Sequence, residues 1–238
     1  MDTEKIPFPG KKIIAHRGAS ALEKENTLAA FIAAGNRSYY GIECDIHRTA
    51  DGKYVVIHDE STKRVATDEL IVEQSSFGLV RSVLINDIDG QKRKDLFVPS
   101  LDEYLKICKK YDKTAVIEIK GPFEKPWIEE VTKQLEKSGC PEKTVFISFH
   151  MSNLIALREI APAFPAQFLT AEWSDRLISE LAERKLDLDI LYTQLTKSRI
   201  DALHAAGIKV NCWTVDDGES ALRLLDCGVD YITSNRLE

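Results

Sequence analysis

The sequence has no long apolar run. Nothing in it approaches the ~18 consecutive apolar residues of a membrane span, and the opening MDTEKIPFPGKK has no apolar stretch of the secretory-signal kind. No membrane span is expected, and a cytoplasmic location is the expectation. Cysteine is sparse: Cys44, Cys108, Cys140, Cys212 and Cys227 are scattered, odd in number and without a CxxC pair. Scattered reduced thiols are expected, not a disulfide framework or a cysteine-rich zinc site. Excess positive charge is absent as well, since 32 Lys and Arg stand against 38 Asp and Glu, a net charge of −6. That argues against a general nucleic-acid binder, whose affinity rests on phosphate contacts. A small phosphate substrate in a locally positive pocket stays open. No GxGxxG turn follows the first strand-like run, so a dinucleotide fold has no support.

What the chain does have is 44% hydrophobic residues over 238 positions, enough for a full core, with no linker and no repeat beyond an alternation of strands and helices. Short β-branched runs at 12–15, 39–46, 114–120, 144–149, 166–170, 188–192, 208–213 and 229–233 read as strands. Between most of them lie helical patterns of 10–15 residues, the signature of βαβ units and a parallel sheet. Thr27 and Ser100 are placed as N-caps, and Pro126 and Gly139 bracket a helix. The run 53–58, after Asp51-Gly52, reads as a hairpin-like extension of the second strand. The fold class expected is α/β, a (β/α)8 barrel of one domain over residues 1–238, since such barrels run to ~250 residues. Residues 60–97 break the alternation. They read as an insertion with at most one short helix, and the basic run Gln91-Lys92-Arg93-Lys94-Asp95 as a solvated loop.

A barrel carries its active site at the C-terminal ends of its strands. Glu43 and Asp45, two apart on a strand, face the same side, while Ile42, Cys44 and Ile46 face the helices. Glu118 stands at a comparable strand end. Three converging carboxylates make a hard-oxygen site suited to one divalent cation, Mg²⁺ or Ca²⁺, with Mn²⁺ also accepted; ion pairs with Arg17 and Lys120 are the alternative use. His16 and His58 end other strands, and a pair of imidazoles divides the work of base and acid near neutral pH. Arg17 offers a planar fork to a phosphate and Lys120 a point charge on the same face as Glu118. Together these groups fit displacement at phosphorus. Trp213 reads equally as an apolar wall for substrate or as core. His47, His150 and Glu172 lie near strand ends without an assigned role, and His204 falls mid-helix.

These residues also resemble a known family. His16-Arg17-Gly18 followed by Glu25-Asn26-Thr27-Leu28-Ala29-Ala30-Phe31, the block GIECDIHRTADGKYVVIHDEST at 41–62, FVPSLDEYL at 97–105, EIKG at 118–121, WTVDD at 213–217 and GVDYITSN at 228–235 are similar, in order, to the landmarks of the glycerophosphodiester phosphodiesterases. The resemblance spans nearly the whole chain. It implies a TIM barrel that hydrolyses glycerophosphodiesters to glycerol 3-phosphate and an alcohol. It makes His16 and His58 the catalytic histidines, and Glu43, Asp45 and Glu118 the metal ligands. Arg17 and Lys120 become the phosphate contacts, and 60–97 the segment over the barrel mouth. Lys24 stands where the family usually has Pro, and the ending ITSNRLE lacks the family's usual Asp and Pro. A lysophospholipase D-like or phosphoinositide-cleaving enzyme is the second reading. A catalytically silent binding barrel is the third. The partner expected is a small-molecule glycerophosphodiester; the sequence says nothing of oligomeric state.

Overall fold

A computed structural model describes residues 2–139 and 141–238. In chain order the elements are β1 (Ile13–Ala15), α1 (Leu28–Gly35), β2 (Gly41–Arg48), β3 (Tyr54–Val56), α2 (Phe77–Ser82), β4 (Leu84–Asn86), β5 (Lys92–Phe97) and α3 (Leu101–Lys110). There follow β6 (Thr114–Ile119), α4 (Lys125–Ser138), β7 (Thr144–Ser148), α5 (Met151–Ile160), β8 (Ala166–Thr170) and α6 (Leu177–Arg184). The chain ends with β9 (Asp187–Leu191), α7 (Lys197–Ala205), β10 (Val210–Trp213), α8 (Gly218–Asp226) and β11 (Tyr231–Ser234).

Eight strands pair in parallel in the cyclic order β1-β2-β6-β7-β8-β9-β10-β11, and the pairing of β11 back onto β1 closes the barrel. β3 is the exception. It pairs antiparallel with the end of β2, His47 opposite Val55, as the Asp51-Gly52 turn requires. The barrel is a (β/α)8 barrel, as the alternation of patterns anticipated. Local signals explain the helix ends. Ser100 and Glu103 form a reciprocal capping box at the start of α3. Thr27 caps α1 through the Ala30 N–H, and Gly139 closes α4 in the left-handed conformation.

The main core lies between barrel and helices, where the outward faces of the strands meet the helix stripes. Ile42, Cys44 and Ile46 of β2 are fully buried there with Leu101, Tyr104 and Leu105 of α3. The Tyr104 hydroxyl donates to the Ile42 carbonyl at 2.7 Å and its ring meets Phe31 edge-on, centroids 5.0 Å apart. Inside the barrel a smaller apolar layer of Ile14, Val116, Ile147 and Leu169 fills the space below the site. Cys44, Cys108 and Cys212 are buried; Cys140 lies outside the described residues. No helix among the described residues is long and apolar enough to cross a membrane.

Residues 60–97 are more ordered than the sequence pattern suggests. They hold α2, a 3-10 turn at Val72–Gln74 and the hairpin β4–β5, and they share a second small core of Val65, Val72, Val80, Ile85 and Leu96 with Val55, Ile57 and Val98. From Lys92 onward the basic run is strand β5 and not a loop, while Gln91, Lys92, Lys94 and Asp95 are solvent-exposed as expected. Its charge is matched locally: Arg93 pairs with Glu23, Asp87 and Asp95 at 2.8–3.0 Å. Buried Leu96 anchors the strand from below.

Candidate active site

The turn after β1 is built for close approach. Arg17 (φ 56°) and Gly18 (φ 83°) both take positive φ. A Cβ on residue 18 would stand 2.7 Å from Ala30 of α1, so only glycine fits. This turn aims the Arg17 N–H at Glu43 Oε2, 2.8 Å away. Asn26, also at positive φ (55°), donates to Asp45 Oδ2 at 2.7 Å. The two β2 carboxylates are thus each held by one donor from the loop between β1 and α1.

Glu43, Asp45 and Glu118 converge at the C-terminal ends of β2 and β6, adjacent strands in register Asp45 to Glu118. One oxygen from each lies within 4.8 Å of the others. The pairs that the alternative reading called for do form. Lys120 Nζ lies 2.8 Å from Glu118 Oε1 and 3.6 Å from Asp45 Oδ1, and Arg17 Nε lies 3.4 Å from Asp45 Oδ2. They do not exhaust the cluster, because Glu43 Oε1 and Asp45 Oδ1 are buried without a hydrogen-bond partner. Two orphaned carboxylate oxygens beside a third carboxylate fit a divalent cation. Burial, then the neighbouring Asp45 charge, pushes Glu43 well above the usual carboxylate range, and pushes Glu118 up to about 7. Burial opposes ionisation of Asp45 too, but Arg17 and Lys120 outweigh it and hold its carboxyl low.

The two histidines have different partners. His16 Nδ1 meets the neutral amide oxygen Asn235 Oδ1 at 2.8 Å. Asn235 is itself fixed by Asp216, which accepts from its backbone N–H at 2.8 Å and from Nδ2 at 2.6 Å. Burial, and then Arg17, pushes the His16 imidazole below its ordinary value. His58 Nδ1 instead meets a carboxylate, Asp59 Oδ1, at 2.6 Å. Arg64 holds that carboxylate at 2.7 Å and reaches Glu25 with both terminal nitrogens at 2.8 Å. Glu25 accepts in turn from Arg17 at 2.9 Å. Despite burial, Arg64 and Arg17 bring Glu25 down to about 2; Arg64 and His58 bring Asp59 to about 2.

A cavity of ≈ 190 Å³ joins His16, Arg17, Glu43, His58, Glu118 and Lys120, and Trp213 forms part of its wall. Trp213 stacks edge-on against exposed Phe149, centroids 5.6 Å apart. The residues given catalytic, metal-binding or substrate-binding roles from the sequence thus gather at one end of the barrel. His47 is buried, and its Nε2 lies 3.1 Å from the His58 carbonyl, so it braces the chain beside His58. His150 and Glu172 are exposed and outside the cavity lining, and His204 pairs with Asp230 on the far surface of α7. Sequence reasoning gave no role to Glu25, Asp59, Arg64, Asp216 or Asn235. Asp59 had a signal, its adjacency to His58. Arg64 had none, because its partners are 5 and 39 residues away in sequence.

A sequence profile of the glycerophosphoryl diester phosphodiesterase family matches residues 16–238. The chain belongs to that family. A glycerophosphodiester phosphodiesterase of Caldanaerobacter subterraneus is 30% identical over 94% of this chain and 93% of its own. Among solved structures, a family member from Agrobacterium tumefaciens superposes with a TM-score of 0.79 at 26% identity, covering 95% of this chain and 97% of that one. An Oleispira antarctica phosphodiesterase, solved with its product sn-glycerol-3-phosphate, shares the fold at a TM-score of 0.86 and 22% identity, covering 97% and 94%. The profile begins at His16, so the first strand-end residue of the site opens the family match.

Proposed function

We propose that this chain hydrolyses glycerophosphodiesters to glycerol 3-phosphate and an alcohol, with one divalent cation at Glu43, Asp45 and Glu118. The reading treats residues 1–238 as one barrel domain with 60–97 as its insertion. A cytoplasmic location belongs to the same proposal. The observation that carries it is the meeting, in one cavity, of His16 and His58 with the carboxylate cluster, Arg17 and Lys120. When bound, the cation supplies Lewis-acid stabilisation of the charge that builds on the phosphate. Mg²⁺, Ca²⁺ and Mn²⁺ all suit an all-carboxylate set.

The chain's own residues do the rest. Arg17 and Lys120 clamp the phosphate oxygens. His16, neutral because it is buried against an amide, takes a proton from the nucleophile. His58, whose ring the Asp59 carboxylate orients through Nδ1 at 2.6 Å, gives a proton to the leaving alcohol. In the favoured route the nucleophile is the glycerol 2-hydroxyl. Its oxygen bonds to phosphorus, the P–O bond to the alcohol breaks, and a cyclic phosphate forms. Water then opens the ring with the two histidines in exchanged roles.

The test is release of glycerol 3-phosphate from glycerophosphocholine and glycerophosphoethanolamine, with EDTA and with Mg²⁺, Ca²⁺ or Mn²⁺ restored. Release lost with EDTA and regained with one ion supports the reading. No release with any ion sinks it. Trapping a cyclic 1,2-phosphate decides the route, and inversion at phosphorus would argue for direct attack by water.

A further inference from the structure

The mechanism leaves one acid of the cavity lining unused. Asp189, on β9, is 1% exposed, faces the barrel interior and lines the same cavity as Glu43 and Glu118. In the cyclic strand order β9 lies four strands from β2 in either direction, so Asp189 stands directly across the barrel from Glu43 and Asp45. Its Oδ1 is buried and accepts or donates no hydrogen bond. Among the described residues no Lys, Arg or His pairs with it, and the charge felt most is that of Glu118. A carboxyl so placed is held neutral by burial, and a neutral carboxyl both donates and accepts.

The wall around it is mostly apolar, with Ile147, Phe149, Leu169 and Trp213, and its other polar members on that side are the threonines Thr214 and Thr233. Thr233 is polar, but its hydroxyl already donates to Asn211 at 3.3 Å. The indole Nε1 of Trp213, on the neighbouring strand, is a second buried polar atom without a partner. A buried polar group left unpaired is destabilising, so proteins keep few of them, and those few call for an occupant.

We propose that Asp189 is a specificity residue that hydrogen-bonds the terminal hydroxyl of the glycerol moiety, the one remote from the phosphate. The inference rests on the reading given under Proposed function and deepens it. With the phosphate at Arg17 and Lys120 and the 2-hydroxyl toward the carboxylate cluster, the third oxygen of the substrate is the group left to cross the cavity. It meets a largely apolar wall in which Asp189 is the acid without a hydrogen-bond partner on Oδ1. An alcohol there satisfies the carboxyl; a methyl group leaves it unpaired. The site thereby separates glycerol phosphates from otherwise identical propanediol phosphates.

The test is calorimetric binding of glycerol 3-phosphate and of propane-1,2-diol 1-phosphate in saturating Ca²⁺. The second ligand keeps the hydroxyl beside the phosphorylated carbon and lacks only the terminal one. Wild-type protein is expected to bind glycerol 3-phosphate about 10- to 100-fold more tightly. Asp189→Leu should bind both at the weaker level, and Asp189→Asn, which still donates and accepts, should keep most of the preference. Equal affinity of the wild type for the two ligands overturns the proposal, and this comparison needs no variant to fold. So does an equal loss on both ligands in Asp189→Leu, which marks a structural role. Turnover is scored separately on glycerophosphocholine. Absent turnover with the binding preference intact strikes at the hydrolytic reading and leaves Asp189 supported.

Discussion

At the scale of single residues, the site separates two chemically identical imidazoles by what stands behind them. His16 is backed by the Asn235 amide and is buried; His58 is backed by the Asp59 carboxylate. Burial against a neutral partner leaves the base form of His16 preferred, while the Asp59 carboxylate fixes the orientation of the His58 ring. His16→Ala and His58→Ala should each lower kcat by about 10²–10⁴-fold with the circular dichroism spectrum unchanged. A variant near the wild-type rate would remove that histidine from the mechanism. The direction of the His16 shift fixes a pH dependence. Because burial lowers its value below the ordinary 6.5, His16 stays deprotonated and competent further into acid than a free imidazole. The acid limb of kcat/KM should therefore fall below pH 6.5, and a limb above that value would contradict the role of His16 as base. Pairings of this kind were only half legible in the sequence. His58-Asp59 is a neighbouring pair and can be read directly. His16 and Asn235 are 219 positions apart, and only barrel closure through the pairing of β11 with β1 brings them together.

Elements act on the site through ion pairs that cross from one loop to another. Arg64, from the insertion, bridges the carboxylate behind His58 to the carboxylate behind Arg17. One guanidinium thus ties the insertion, the loop after β3 and the loop after β1 into one frame. Arg64→Met should reduce kcat/KM by roughly 10- to 100-fold while leaving the carboxylate cluster in place, because Arg17 and His58, in the roles proposed for them, both lose their bracing. Unchanged activity in Arg64→Met would make the bridge a surface pairing of no consequence. Glu25 carries a stability signature as well. Its value drops from 4.5 to about 2 in the fold, so its contribution is present above pH 4.5 and is lost as pH falls from there toward 2. Arg64 is 45% exposed, so solvent screening limits the contribution to about 1 kcal/mol. Urea unfolding of Glu25→Gln should show that deficit at pH 7 and a narrowing gap at pH 4 and below; a constant gap would locate the effect in packing. The insertion was the least legible element. Its small core draws on single apolar residues, Val65, Val72, Val80, Ile85 and Leu96, spaced too irregularly for either a helical or a strand period to register. The run of lysine and arginine in β5 reads as solvated because Lys92 and Lys94 are exposed, whereas the partners of Arg93, Glu23 and Asp87, lie outside the run.

For the whole molecule, the barrel was legible because its strands are buried on both faces and announce themselves as short β-branched runs between capped helices. What no periodicity could show is how closely the strand ends meet. The pairing of β2 with β6 sets Asp45 beside Glu118, and closure gathers into one cavity charges that the chain spreads from residue 16 to residue 189. That gathering costs free energy. Three carboxylates sit within 4.8 Å of one another, and the upward shifts of Glu43 and Glu118 record their repulsion and desolvation. A divalent cation bound to the folded cluster, and not to the dispersed ligands of the unfolded chain, would stabilise the whole barrel by mass action. At a hundred times Kd the gain is about 2.7 kcal/mol. For a domain of this size each kcal/mol is worth roughly 2–4 °C, so saturating Ca²⁺ or Mg²⁺ should raise Tm by about 5–10 °C over EDTA. Glu118→Gln removes one charged ligand and relieves part of the repulsion. Its cation-free form should melt at or above the wild-type temperature, while its cation-dependent rise shrinks. Scanning calorimetry of both proteins with EDTA and with each ion makes the comparison. A wild-type Tm indifferent to millimolar cation would mean that the cluster holds none, and the three carboxylates would then serve only Arg17 and Lys120.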